Sequence, residues 1–295
     1  MLNRVSFFAL LAISVSAWGF VPDAGQVIRY QSQMLRTSKA FAARGSVQIG
    51  KAKMETLLEW QAPTQYRFLI RDVSSSIYAN GDSSSTWVLM RSGKRCVLKT
   101  DALTVTCPAP AFWAMMELSG QGEETANSLV AAGFLSEDAA TFRETDVHNI
   151  PAKYAATRPA LGANGKIPMA VIEIRGPSYQ EPTDKKEAGY PVLQFDQTFL
   201  SPLLARFTQE GQLTSIKALS DLTMGPKKNR ASKILASRIE VTNVNATTTF
   251  LRQESVPLTT RVDLTLPKAL GDISALRDQL SVEGQEFLRA LFLTH

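Results

Sequence analysis

Short segments that alternate apolar and polar residues recur along this chain at hairpin intervals, and a chain built this way has few means of burying its apolar side chains. In QYRFLIRD, Tyr66, Phe68 and Ile70 fall on one side of an extended backbone, and Arg67, Leu69 and Arg71 on the other. Leu58 and Trp60 share a side with Met54 in the preceding SVQIGKAKMETLLEW, which reads as one strand. STWVLMRSG continues the series. After a gap come IPMAVIEIRG, VLQFDQTF, LLARFTQEG, LTSIKALSDLT, KILASRIEVTN and ATTTFLRQES. Such a succession predicts an α+β protein built on one curved antiparallel sheet or open barrel, with helices on one side. Helical patterns are expected over Gln26 to Phe41, over Ala111 to Phe142 as two short helices, and over Asp272 to Leu293 around Leu276, Leu280, Phe287, Leu288 and Leu291. GPSYQEPTDKKEAGYP, Gly176 to Pro191, has the proline, glycine and charge of an exposed loop.

Both cysteines of the chain lie in RSGKRCVLKTDALTVTCPAP. A turn at Asp101-Ala102 makes this a hairpin in which Cys96 faces Cys107 and Leu98 faces Val105. Directly opposed residues are roughly 4.5–5.5 Å apart at Cα, a span that a disulfide tolerates. Two buried free thiols are the alternative. The N-terminus separates the two. In MLNRVSFFALLAISVSAWGF, Arg4 precedes an apolar run from Val5 to Val15, and small residues follow it. That is the arrangement of a secretory signal peptide, residues 1–19, and the run is too short to span a bilayer. Export places the remaining domain, 20–295, where disulfides persist, so the bridge is the favoured reading. No cysteine follows the apolar run to carry a lipid, so a soluble mature protein is expected.

With 32 Lys and Arg against 27 Asp and Glu, the formal charge is +5. This balance permits anionic contacts and does not call for nucleic acid. The main basic cluster, Lys227, Lys228, Arg230 and Lys233, reads as a solvated loop. No serine-hydrolase elbow, zinc-protease helix, phosphate loop or complete dinucleotide fingerprint is present, and two histidines cannot make a three-histidine metal site. Glu123-Glu124 and Glu137-Asp138 read as first-turn helix acids. No catalytic residue, cofactor or metal is therefore expected. What stands out instead is Phe112, Trp113, Met115 and Met116, flat rings and flexible thioethers that on their own read as ordinary core and are also suited to repacking around an apolar ligand.

The order of several phrases resembles the periplasmic carriers of outer-membrane lipoproteins, the LolA-like superfamily. A strand, a proline and an aromatic/arginine strand appear as LLEWQAPTQYRFLIRD, with Pro63. A turn and aromatic strand appear as IYANGDSSSTWVLM, with Gly81, Asp82 and Trp87. LQFDQTFLSPLLARFTQEGQLTSIKALSDL and a closing strand RVDLTLPKAL, with Pro267, follow. The resemblance covers about Gln26 to Leu270. The carriers place an arginine directly before the proline, where this chain has Ala62, and the segment 111–191 is longer than in a minimal carrier.

The resemblance implies an open half-barrel with helices as a lid on its concave side, holding acyl chains of lipoproteins or lipids for transport toward the outer membrane. Donor or acceptor proteins of either membrane would then be partners. An envelope sensor or scaffold that binds a protein through the same sheet is the alternative. The expected cavity wall is Leu58, Trp60, Phe68, Ile70, Trp87 and Leu89 from the strands, with Trp113, Met115 and Met116 from the lid. Alternation selects the strand set, and a shift of one residue would exchange it for the other face.

Overall fold

A computed structural model describes residues 40–108 apart from 63–64, 82–85 and 94. It also describes 133–134, 156–219 apart from 165, 185–188, 198–200 and 210, and 236–292, together with Pro22, Ala24, Gln26 and Val27. The described residues form one large curved, open sheet of 14 strands. The first half is a meander: β1 (Phe41–Ile49), β2 (Ala52–Ala62), β3 (Gln65–Arg71), β4 (Thr86–Ser92), β5 (Arg95–Lys99) and β6 (Thr104–Thr106). The second is another: β7 (Ala156–Asn164), β8 (Ile167–Arg175), β9 (Val192–Asp196), β10 (Pro202–Gln209), β11 (Gln212–Leu219), β12 (Arg238–Thr242) and β13 (Thr247–Pro257). Antiparallel pairing of β1 with β13 joins the two meanders into a single ladder. The fourteenth strand, β14 (Gly271–Asp272), pairs parallel with β6, the one parallel pair among the described strands.

Several local expectations are corrected. SVQIGKAKMETLLEW is a hairpin rather than one strand: Gly50, with φ 52°, turns β1 into β2. Only glycine adopts that conformation without steric cost, which is why the chain reverses here. The helix expected over Gln26 to Phe41 does not reach its end, because Phe41 opens β1 and pairs with Trp60 and Pro257. Gln26 and Val27 are helical. RVDLTLPKAL is not a strand. It crosses the ends of β2, β3 and β4, where Arg261 to Thr265 and Gln61, Gln65 and Ser92 together line a hollow of about 400 Å³. Among the described residues this segment is held by single bonds, the second of which leads into the β14–β6 pair. Gln61 Nε2 donates to Val262 O at 2.7 Å, and Leu270 N donates to Thr104 O at 2.8 Å. The expected strand series resumes at IPMAVIEIRG and lacks β7, whose sequence ATRPALGAN carries Pro159 and Gly162. It lies at the sheet edge, where a residue without an N–H is tolerated.

The expectations from alternation hold across the sheet. Cross-strand partners place Val47, Met54, Phe68, Ile70, Trp87, Leu89 and Leu98 on one face of the first meander. Phe250, Ile239, Ala218, Ile216, Ala205, Leu193 and Ile174 continue the same face through the second. All of these are buried. Opposite them, Arg44, Lys53, Glu55 and Arg71 are exposed.

Two helices follow β14: α1 (Ile273–Arg277) and α2 (Val282–Leu291). The side chain of Ser281 caps α2 by accepting from Gly284 N at 3.1 Å. Gly284, Phe287, Leu288 and Leu291 recur at helical spacing and form its buried stripe. Phe287 lies 5.6 Å from Trp87 between ring centres, so α2 covers the apolar face at the β3–β4 end. Leu276 and Leu280, expected core residues of the closing stretch, are buried as well.

Candidate functional site

The apolar face holds a small cavity at the seam where β1 meets β13. The pairing register slips between Arg44 and Gly45, so Arg44 opposes Glu254 while Gly45 opposes Arg252, with Gln253 left over. Such a bulge bends the strand and opens the ladder locally. Gly45 is required there, since a Cβ would sit 1.9 Å from Leu251 O. Around this point Ala43, Leu58, Phe68, Ile239 and Phe250 form an apolar wall, with Thr56 and Arg252 also lining the space. The cavity's volume is about 60 Å³. That is less than half of an engineered cavity of about 150 Å³ that admits benzene, so it has room for a few methyl or methylene groups and not for a whole alkyl chain.

Six of the expected wall residues lie on this face, and two line the cavity. Leu58 and Phe68 are direct cross-strand partners and meet there. Trp60 lies beside the cavity and stacks on Phe41 at 5.2 Å. Ile70, Trp87 and Leu89 are almost fully buried and are not among the residues lining it. Trp87 is held in packing: its indole N–H donates to Tyr78 Oη at 2.6 Å, and Phe287 covers it. Trp113, Met115 and Met116 lie outside the described residues, as do residues 1–19 and the helices expected over Ala111 to Phe142, of which only Gly133 and Phe134 are described. Ala43, Gly45, Thr56, Ile239, Phe250 and Arg252 were missed. Alternation marks Ile239 and Phe250 as core-facing, but only the β1–β13 seam brings them to Leu58.

The cysteine hairpin has the expected register. Leu98 pairs with Val105, and Cys107 N donates to Cys96 O at 3.2 Å. The two cysteines are free thiols with Sγ atoms 2.7 Å apart. Burial pushes the Cys107 thiol well above the ordinary range; its contact with Cys96 adds to this and Arg91 opposes it. Among the described residues no group of three His, Cys, Asp or Glu side chains could hold a metal ion, and no helix is long and apolar enough to cross a membrane.

An open sheet with one continuous apolar face, part covered by a helix and hollowed at a bulge, defines the class of this protein by its shape. No protein-family model and no curated sequence matches the chain. In structure it is similar to a LolA superfamily protein from Nitrosomonas europaea, at 10% identity over 81% of this chain and 96% of that one, with a TM-score of 0.40. It is also similar to a domain from Vibrio parahaemolyticus provisionally designated an outer membrane lipoprotein-sorting protein (13% identity, 81% and 94% covered, TM-score 0.42). A DUF1329 family protein from Desulfovibrio piger is a third (13%, 86% and 98%, TM-score 0.37).

Proposed function

We propose that this is an exported, periplasmic binding protein that holds acyl chains of lipoproteins or lipids on its apolar sheet face for transfer toward the outer membrane. The observation that carries the reading is the cavity lined by Leu58, Phe68, Ile239 and Phe250 within a face that is apolar from β6 to β8. Binding needs only apolar area: each buried methylene contributes about 0.8 kcal/mol. No proton transfer or nucleophile enters. In this reading the sheet acts as a half-barrel, α2 closes one end, and Trp113, Met115 and Met116 belong to a lid over the rest. A longer chain enters as the lid gives way.

The test is titration of the purified mature protein with a fluorescent long-chain fatty acid, with native mass spectrometry of the protein taken from the envelope. Wild type is expected to bind stoichiometrically and to carry lipid. Met116→Glu is expected to lose binding at least tenfold while its unfolding midpoint stays in place. A wild type that neither carries nor binds an acyl ligand sinks the reading and leaves the protein-partner alternative.

In the same reading Cys96 and Cys107 are joined after export and pin β6 beside the face. The bridge closes a short loop, and the chain-entropy model assigns it roughly 2–3 kcal/mol. Thiol labelling of denatured, unreduced mature protein is expected to find no free thiol. The reduced protein carries its own signature. Its buried Cys107 ionises only well above the unfolded value of about 8.5. The unfolded state therefore releases the proton first, and stability is lost as pH rises above about 8.5. The oxidised protein and Cys107→Ser are expected to lack this decline in urea titrations between pH 8 and 10.

A further inference from the structure

The β7–β8 hairpin runs past the sheet that holds it. Among the described residues β9 pairs with β8 from Val171 to Arg175, with one further bond from Gln197 N to Ala170 O at 3.2 Å, while β7 follows β8 out to Ile167. Burial follows the ladder: Val171 to Ile174 are buried, and Ile167, Pro168 and Ala170 are exposed. The projecting part carries two large apolar side chains, Leu161 with 86% of its surface exposed and Ile167 with 55%. They stand on opposite faces. Leu161 pairs with Ala170 and Ile167 with Asn164, three positions apart on each strand, so the pleat aims them to opposite sides. Leu161 shares its face with Ile172 and Ile174 and extends the apolar face of the sheet to the tip. Lys166, exposed, sits beside Ile167, and no acidic residue lies between Pro159 and Ala170. The hairpin's one acid, Glu173, lies at its base, where its carboxylate accepts from Arg175 Nε at 2.5 Å and from Gln194 Nε2 at 3.0 Å.

Each kind of partner makes a different demand on such a tip. A folded protein, or a second copy of this chain, covers one face and leaves the apolar side chain of the other in water. Strand addition at the free edge of β7 meets Pro159, which has no N–H to give. A bilayer surface surrounds the tip and covers both sides at once, and a lysine at its boundary reaches anionic headgroups. The contact is shallow, since the outward N–H and C=O groups of an edge strand have no place in the hydrocarbon core.

We infer that the β7–β8 tip is a membrane contact, in which Leu161 and Ile167 enter the interfacial layer of a bilayer containing anionic lipid and Lys166 rests on its headgroups. The inference goes beyond the acyl-chain reading and stands without it; in a carrier the contact sets the end of the apolar face against the bilayer. The test is flotation of the full mature protein with vesicles of phosphatidylcholine alone and of phosphatidylcholine mixed with phosphatidylglycerol. Wild type is expected to float with both, and more strongly with the mixed vesicles. Leu161→Asp and Ile167→Asp are each expected to lower binding at least tenfold while the unfolding midpoint stays in place. Lys166→Gln is expected to lower binding to the mixed vesicles about fivefold and to leave binding to phosphatidylcholine unchanged. Val244→Asp, at a residue 65% exposed in the turn from β12 to β13 at the far strand ends, is the control and is expected to change neither. Should an aspartate variant fail to fold, Leu161→Ser and Ile167→Ser make the same comparison. A wild type that floats with neither vesicle overturns the inference. Loss from only one of the two tip variants shows a one-sided contact and overturns it as well, and so does an equal loss from Val244→Asp. A wild type that fails to float yet titrates with the fatty-acid probe leaves the acyl-chain reading standing.

Discussion

Replacing Trp87 with alanine is expected to lower stability by about 3–5 kcal/mol, the range for removing a large aromatic side chain from a packed core. Trp87 has no exposed surface and stands where three elements meet. It pairs with Ile70 across β3 and β4, packs edge-on against Tyr78 at 6.2 Å, and receives Phe287 of α2 at 5.6 Å. Its indole N–H is also the hydrogen-bond partner of the buried Tyr78 hydroxyl. The truncation thus leaves a polar group without that donor in addition to a cavity, which places the effect in the upper part of the range. Trp87→Phe keeps most of the volume and loses the bond, and is expected to cost about half as much. Leu161→Ala, at a residue 86% exposed, is the control and is expected to stay within ~0.5 kcal/mol. Urea unfolding followed by circular dichroism measures all three. A Trp87→Ala loss below about 1.5 kcal/mol would show that α2 does not pack on the sheet as described.

The second large effect is expected from Gly284→Val in α2. Helix propensity alone would favour almost any residue over glycine, by up to about 1 kcal/mol. The contact geometry opposes this and is stronger. A Cβ at position 284 would lie 2.0 Å from Ile77 O. That carbonyl belongs to the turn Ser75–Ile77 and already accepts from Ser281 N at 3.0 Å, so it cannot retreat without breaking the junction. Relief requires α2 to lift off. Overpacking of this kind costs about 3 kcal/mol, at the high end of its usual range, because the obstacle is backbone rather than a flexible side chain. Amide hydrogen exchange in Val282–Leu291 is expected to accelerate at least tenfold, and binding of an environment-sensitive apolar dye to rise as the face beneath is uncovered. Unchanged exchange in α2 would contradict the packing. Gly284→Ala should show the same direction with a smaller amplitude, so that a stabilised alanine variant would also refute it.

How much of this was legible beforehand differs by element. The strand faces were: Tyr66, Phe68 and Ile70 against Arg67, Leu69 and Arg71 is a local pattern, because the pleat alone fixes which side chains share a face. The cysteine hairpin was legible for the same reason, its register following from a turn a few residues away. The closing helices could be read from Leu276, Leu280, Phe287, Leu288 and Leu291. The Gly50 turn was passed over although the alternation changes phase there, from Val47 and Ile49 before the glycine to Ala52 and Met54 after it, and the backbone sign at that one glycine folds the strand back. RVDLTLPKAL alternates as a strand does, yet alternation states only that one side of a segment is apolar. A segment laid across strand ends meets that condition without a ladder.

Sequence alone therefore determined the β character of this protein, its apolar and charged faces and the register of its cysteine hairpin, all of which depend on residues within one hairpin of each other. Tertiary structure decided the rest. The β1–β13 seam joins Phe41–Ile49 to Thr247–Pro257, and nothing in either segment names the other as its partner. The slip at Gly45, the cavity beside it, and the meeting of Leu58 and Phe68 with Phe250 and Arg252 exist only once that long-range pairing is made, since their position is set by where two distant strands fall out of register.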